Sequence, residues 1–76
     1  GEPITEEKLQ KTERAEDYLF SLGLTDFRVR MMGNAARLQF PERELGKVID
    51  HRNEILNTLK KDYQAVLLDL ETRDEQ

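Results

Sequence analysis

The chain has 76 residues, of which 37% are hydrophobic and 37% are charged, with a formal net charge of -4 and a mean hydropathy of -0.78. This composition predicts a single small domain, spanning residues 1–76, with a thin core and a highly charged surface. The acidic balance argues against nucleic-acid binding, which usually needs a surplus of Lys and Arg. Cysteine is absent and His51 is the single histidine. These counts exclude disulfides, thiol catalysis and metal sites built from Cys or several His side chains.

No apolar run approaches the roughly 20 residues that a membrane-spanning helix requires. The first residues do not follow the pattern of a signal peptide either. We therefore expect a cytoplasmic location and no membrane partner.

The first predicted element is a helix over residues 6–22. Thr5 is a suitable N-cap, and Glu6 and Glu7 place negative charge in the first turn, where the helix dipole favours it. Gly23 can adopt the left-handed conformation that ends a helix. The side chains that recur at helical spacing are Leu9, Thr12, Ala15, Leu19 and Leu22.

Two runs with period-two alternation follow, 27–32 and 35–40, separated by Gly33-Asn34. A glycine-containing pair between two such runs predicts a β-hairpin in which opposed residues sum to 67. This register places apolar side chains on one face, in the pairs Phe27 with Phe40, Val29 with Leu38, and Met31 with Ala36.

Pro41 suits the start of a helix, and the apolar spacing after it continues to about residue 61. Gly46 weakens this stretch and Asp50 can cap a second start, so the pattern predicts one kinked helix or two helices over 42–50 and 51–61. A last strand is predicted over 63–70, with Val66, Leu68 and Leu70 on its apolar face. The order α-β-β-α-β predicts an α+β two-layer sandwich, ferredoxin-like with its first strand missing.

The predicted hairpin places three arginines on the face away from the apolar pairs. Arg28 and Arg30 share one strand, and Arg37 lies directly across from Arg30. Like charges opposed on a sheet are destabilising, and a phosphate or carboxylate that accepts paired N–H bonds relieves this repulsion. The alternative is a solvated face neutralised by nearby Glu side chains or by another subunit. Asp69, an outward-pointing acid in the last strand, is expected to pair with the arginine face if that strand lies next to the hairpin.

Glu16 is the second candidate, because it lies at the edge of the first helix's apolar stripe. A partly desolvated carboxylate there suits acid–base chemistry or an oxygen ligand for a hard metal. A carboxylate that pairs with a neighbouring arginine is the structural alternative, and the sequence assigns no metal. His51 is expected to make a surface or capping hydrogen bond.

Several segments together resemble the C-terminal part of the ATP-dependent sacrificial sulfur transferases, which belong to the PP-loop ATP pyrophosphatase superfamily and help build the nickel-pincer cofactor of lactate racemase. The segments occur in one order and cover about residues 3 to 71. They are Pro3-Ile4-Thr5-Glu6, Ala15-Glu16 with Leu19, Phe27-Arg28-Val29-Arg30, Ala36-Arg37-Leu38, and Leu68-Asp69-Leu70-Glu71.

The resemblance implies an excised C-terminal domain of a larger enzyme, since neither the glycine-rich ATP loop nor the sulfur-donor cysteine of the family is present here. The parent enzyme would use ATP and Mg²⁺, whereas the chain alone would bind no cofactor and hold no complete catalytic machinery. Its partners would be the N-terminal PP-loop domain of the same chain and an anionic mononucleotide-like substrate, in a homo-oligomer. By this resemblance Arg28 and Arg30 hold phosphate or carboxylate groups and Glu16 faces the active site.

Two segments depart from the family pattern, and they leave the substrate open. Met31-Met32 replaces a histidine-containing pair, and Glu71-Thr72-Arg73 replaces a glycine-tyrosine-arginine segment. The expected function is therefore an accessory domain of an ATP-dependent sulfur transferase that supplies anion contacts and subunit packing. The alternative is a non-catalytic interaction or oligomerisation module. RNA binding on the sheet ranks last, because the predicted polar face carries no aromatic side chain on which a base can stack.

Overall fold

The computed structural model describes residues 6–72 and shows an α+β two-layer sandwich. Three helices lie on one side of a three-stranded sheet. In chain order the elements are α1 (Glu6–Ser21), β1 (Arg28–Met32), β2 (Ala35–Gln39), α2 (Glu42–Asp50), α3 (Arg52–Leu59) and β3 (Ala65–Leu68). The predicted N-cap, Thr5, lies outside the described residues.

The end of α1 confirms the prediction for Gly23. Its φ is 90°, and its N–H donates to the carbonyl of Phe20 at 2.9 Å. The next N–H, of Leu24, reaches back to the carbonyl of Leu19 at 3.3 Å, which completes a Schellman motif. Leu19 and Leu24 are both fully buried, so the turn also carries the chain into the core.

The β1–β2 hairpin has the predicted register. The two strands are antiparallel, with Val29 opposite Leu38 and Arg30 opposite Arg37. Gly33 has a φ of 61°, whereas Asn34 keeps a negative φ. A positive φ at the first central residue alone is the signature of a type II′ turn, whose twist matches that of the flanking strands.

The second helical region consists of two helices that meet at His51, which confirms the predicted pair of helices rather than one kinked helix. His51 has φ -103° and ψ 19°, and it is both the C-cap of α2 and the N-cap of α3. The prediction that Asp50 caps the second helix is wrong, because Asp50 is the last residue of α2 and α3 has no side-chain cap. Pro41 lies at the N-cap of α2, with extended backbone.

The last strand is shorter than predicted. It pairs in parallel with β2 from Ala65 to Leu68, so the sheet order is β1-β2-β3. Leu70 was predicted on the apolar face but is 84% exposed, because the strand has already ended. The carboxylate of Asp69 accepts the backbone N–H of Glu71 at 2.9 Å, and this local bond turns the chain out of the ladder. β2 therefore lies in the middle of the sheet, between β1 and β3.

The core lies between the helices and the inner face of the sheet. Tilted ring pairs connect Phe27 with Phe20 and with Phe40, at centroid distances of 4.8 and 5.9 Å. The side chains on the inner face of the sheet are therefore buried in the core, whereas those on the opposite face do not contact the helices. The buried hydrophobic residues are Ala15, Leu19, Leu24, Ala36, Leu38, Phe40, Val48, Ile55, Leu59 and Tyr63.

Candidate anion-binding face

The side chains that point away from the helices form a surface that we call the outer face. Burial alternates along β1 and β2, and this alternation separates the outer side chains from the core side chains. No helix covers this surface within residues 6–72: Met32 is 50% exposed and Leu67 is 45% exposed. The outer face consists of Arg28, Arg30, Met32, Ala35, Arg37, Gln39, Ala65 and Leu67, with Asp69 just beyond β3.

The three predicted arginines do lie together on this outer face. Arg30 is directly opposite Arg37, and Arg28 is opposite Gln39. The period-two alternation of the hairpin is the cause, since residues 28, 30, 37 and 39 share one side of the pleat. Arg28 and Arg30 are exposed, and their side chains make no ion pair or hydrogen bond within the described part of the chain.

Arg37 differs from the other two because a carboxylate already holds it. Its Nε and Nη2 donate to Oδ2 of Asp69 at 3.1 and 2.6 Å, and Nε2 of Gln39 donates to the same oxygen at 2.7 Å. The side chain of Asp69 is only 13% exposed. The suspected pairing of Asp69 with the arginine face is thus present, because β3 lies next to β2.

These bonds lower the pKa of Asp69 below its ordinary value of 3.8. The largest cause is the backbone N–H of Glu71, followed by the hydrogen bonds from Arg37 and Gln39. All of them stabilise the ionised carboxylate. Asp69 therefore stays charged and neutralises Arg37, while Arg28 and Arg30 provide two uncompensated positive charges.

Glu16 does not join this group. It is half-buried on α1, whose neighbouring residues Ala15 and Leu19 are part of the core on the inner side of the sheet. The sheet therefore lies between Glu16 and the arginines of the outer face. Residues 6–72 contain no group of three or more His, Asp or Glu side chains arranged to hold a metal ion.

His51 makes the capping hydrogen bond that was expected of it. Its Nδ1 lies 2.9 Å from the carbonyl oxygen of Lys47. A carbonyl oxygen only accepts, so this bond places a proton on Nδ1.

An ion pair between Arg14 and Asp62 was missed by the sequence reasoning. Nε and Nη2 of Arg14 donate to the two oxygens of Asp62 at 3.0 and 2.8 Å, in a bidentate arrangement. These hydrogen bonds lower the pKa of Asp62. The pair joins α1 to the turn after α3, and no local pattern connects residues that are 48 positions apart.

Comparison with known proteins identifies a similar sequence but no family. No protein-family model matches the chain. The chain is 39% identical over 74 residues to the uncharacterized protein slr1717 of Synechocystis sp., an alignment that covers 93% of this chain and 28% of that protein. The chain thus spans less than a third of the length of this relative. Among residues 6–72, no helix has the length and apolar character needed to cross a membrane.

Proposed function

We propose that this domain is an accessory C-terminal domain of an ATP-dependent sulfur transferase of the PP-loop superfamily. It contributes contacts to the phosphate or carboxylate groups of an anionic mononucleotide-like substrate, and it takes part in subunit packing. The observation that carries the proposal is the pair Arg28 and Arg30, which are exposed and without a partner among the described residues. The ordered segments that resemble this family, from Pro3-Ile4-Thr5-Glu6 to Leu68-Asp69-Leu70-Glu71, support the class of enzyme.

The division of roles on the outer face follows from the charges. Asp69 compensates Arg37, which leaves Arg28 and Arg30 to attract an anion. A guanidinium group donates paired N–H bonds to phosphate or carboxylate, and two of them on one rigid strand offer a fixed geometry. Arg37 lies directly opposite Arg30, and its charge becomes available to an anion to the extent that its ion pair with Asp69 opens.

The remaining parts of the proposed enzyme lie outside this domain. The resemblance implies a PP-loop domain that binds ATP and Mg²⁺, a cysteine that gives up its sulfur, and a cytoplasmic homo-oligomer.

An NMR titration with inorganic phosphate and with a nucleoside monophosphate tests the anion contacts. Affinity should be millimolar at best, a binding free energy of about -4 kcal/mol, because in this proposal the PP-loop domain supplies the other contacts to the anion. Amide shifts should cluster along residues 28–30 and 35–39, and binding should weaken as salt rises. Arg30→Ala should weaken binding several-fold while leaving thermal stability unchanged or slightly higher, because it removes a like charge opposite Arg37.

The matched control is Arg43→Ala. Arg43 is an exposed arginine on α2, away from the outer face, and its Nη2 lies 3.5 Å from Oδ2 of Asp26. The Arg43→Ala variant should bind phosphate with the affinity of the wild type. Equal effects of the two substitutions, or shifts scattered over the whole domain, would refute the proposed anion contacts.

The alternative is an interaction module whose arginines meet an acidic protein surface. Met32 and Leu67 favour it, since both are exposed apolar side chains on the same outer face. In that case phosphate alone would produce no clustered shifts, because the binding energy would come from apolar burial around the ion pairs.

A further inference from the structure

An apolar groove lies along the free edge of β3, on the helical side of the sheet. Its volume is about 210 Å³. Ile49 on α2 is 54% exposed and Leu56 on α3 is 38% exposed, so two large apolar side chains border the groove in contact with solvent. Arg52 also borders it, and an arginine can lay its aliphatic stem over apolar surface while its charge stays in water.

The two edge strands of the sheet, β1 and β3, differ in how well they are protected against pairing with a strand of another molecule. Charged side chains on an edge strand discourage pairing with another strand, and β1 carries Arg28 and Arg30. β3, with the sequence Ala-Val-Leu-Leu, carries neither a charge nor a proline. An unprotected apolar edge beside an apolar groove is a surface for strand addition.

The hydrogen bonds of β3 define which backbone groups are available. The N–H of Asp69 bonds the carbonyl of Leu38 on β2 at 2.9 Å. Backbone groups alternate in direction along a strand, so those of Leu67 also point to β2 and those of Val66 and Leu68 point to the free edge. Residues 66 and 68 therefore present the donors and acceptors to an added strand.

We propose that a second copy of this chain occupies this edge, with the two β3 strands antiparallel about a twofold axis. In this arrangement Val66 of one copy lies opposite Leu68 of the other, and each such pair exchanges two backbone hydrogen bonds. Opposed residues share a face, so both copies keep their helices on the same side. Ile49 and Leu56 of one copy then cover the groove of the other, and Leu67 packs against its own counterpart.

Charge favours a second copy in this antiparallel direction. Lys60 and Lys61 lie in the turn before β3 and are exposed, and Asp62 beside them is compensated by Arg14, whereas the exposed Glu71 follows the strand. Antiparallel pairing brings the basic end of one strand to the acidic end of the other. This inference rests on the subunit packing in the proposed function, but it uses none of the outer-face arginines. A mass measurement and a phosphate titration can therefore fail separately.

The test is the mass of the chain in solution, measured by light scattering and sedimentation from about 10 µM to about 1 mM, the range of weak association. We expect the mass to rise from 8.9 kDa to twice that value with concentration. Ile49→Lys and Leu67→Lys should each weaken dimerisation at least about tenfold, because each buries a charge at the contact. Leu9→Lys is the control, since Leu9 is 49% exposed on α1 and does not border the groove.

Amide hydrogen exchange gives a second measurement at residue level. The N–H groups of Val66 and Leu68 should exchange at least about tenfold more slowly in the dimer than in Ile49→Lys, because only the dimer provides them with acceptors. Far-UV circular dichroism should confirm that the variants remain folded. A chain that stays monomeric at about 1 mM would overturn the proposal. So would a dimer that survives both substitutions, since it would assign the contact to another surface.

Discussion

Replacing glycine by alanine at position 23 and at position 46 is the same chemical change in two different backbone conformations, and the two variants should differ in stability. Gly23 has a φ of 90°, in a region that residues with a Cβ rarely adopt. A Cβ placed there would lie 3.0 Å from Nζ of Lys47, the movable end of a long side chain, so the steric cost is small. The penalty of Gly23→Ala therefore comes from the backbone and should be about 1–2 kcal/mol.

Gly46→Ala is the matched change with the opposite sign. Gly46 lies within α2, is exposed, and a Cβ there would meet nothing within 4 Å. Alanine is the better helix former by about 0.8–1 kcal/mol, so this variant should be more stable than the wild type. The two variants should then differ by about 2–3 kcal/mol, the sum of both effects. For a domain of this size that difference corresponds to roughly 10–20 °C in Tm.

Urea denaturation followed by circular dichroism measures both variants directly. The m-values should match that of the wild type, because neither change alters the surface exposed on unfolding. Gly23→Val should be less stable than Gly23→Ala, since a branched Cβ is more restricted at positive φ. Midpoints for Gly23→Ala and Gly46→Ala that shift in the same direction would refute the reasoning from backbone conformation.

Two further predictions concern the carboxylates with lowered pKa. The pKa values of Asp62 and Asp69 are below the ordinary value of 3.8 in the folded chain, so both ionised carboxylates stabilise the fold above about pH 4. This stabilisation is lost as the pH falls further and the carboxylates become protonated. Urea midpoints measured from pH 6 to pH 2 should therefore fall less steeply in Asp62→Asn than in the wild type, and an unchanged slope would contradict this. Asp69→Asn should free Arg37 and strengthen phosphate binding a few-fold in the same NMR titration; an unchanged affinity would remove Arg37 from the anion contacts.

Local signals predicted the hairpin and the end of α1 well. The register followed from one alternating pattern and one turn, because a slip by a single residue would move Val29 and Leu38 from the core to solvent. Gly23 and Leu24 marked the end of α1 in the same way, since few residues other than glycine adopt the conformation required there.

The errors arose where a side chain competed with regular structure. Leu70 continues the alternation of β3, but the bond from Asp69 to the N–H of Glu71 ends the strand before it. Asp50 is a good N-cap by type, yet the break between α2 and α3 occurs one residue later, at His51. In both cases periodicity indicated the element, whereas its boundary depended on local backbone conformation that the periodicity does not contain.

The candidate site depends on strand order, which the sequence pattern leaves open. Because β3 pairs with β2, Asp69 reaches Arg37 and neutralises the central strand. Pairing with β1 instead would have brought the same carboxylate to Arg28 or Arg30. The observed order leaves the two uncompensated arginines on the edge strand β1, where they face solvent and also keep other strands away. The same charge distribution thus directs an anion to β1 and a second copy of the chain to β3, so the two proposed contacts can form on one domain at the same time.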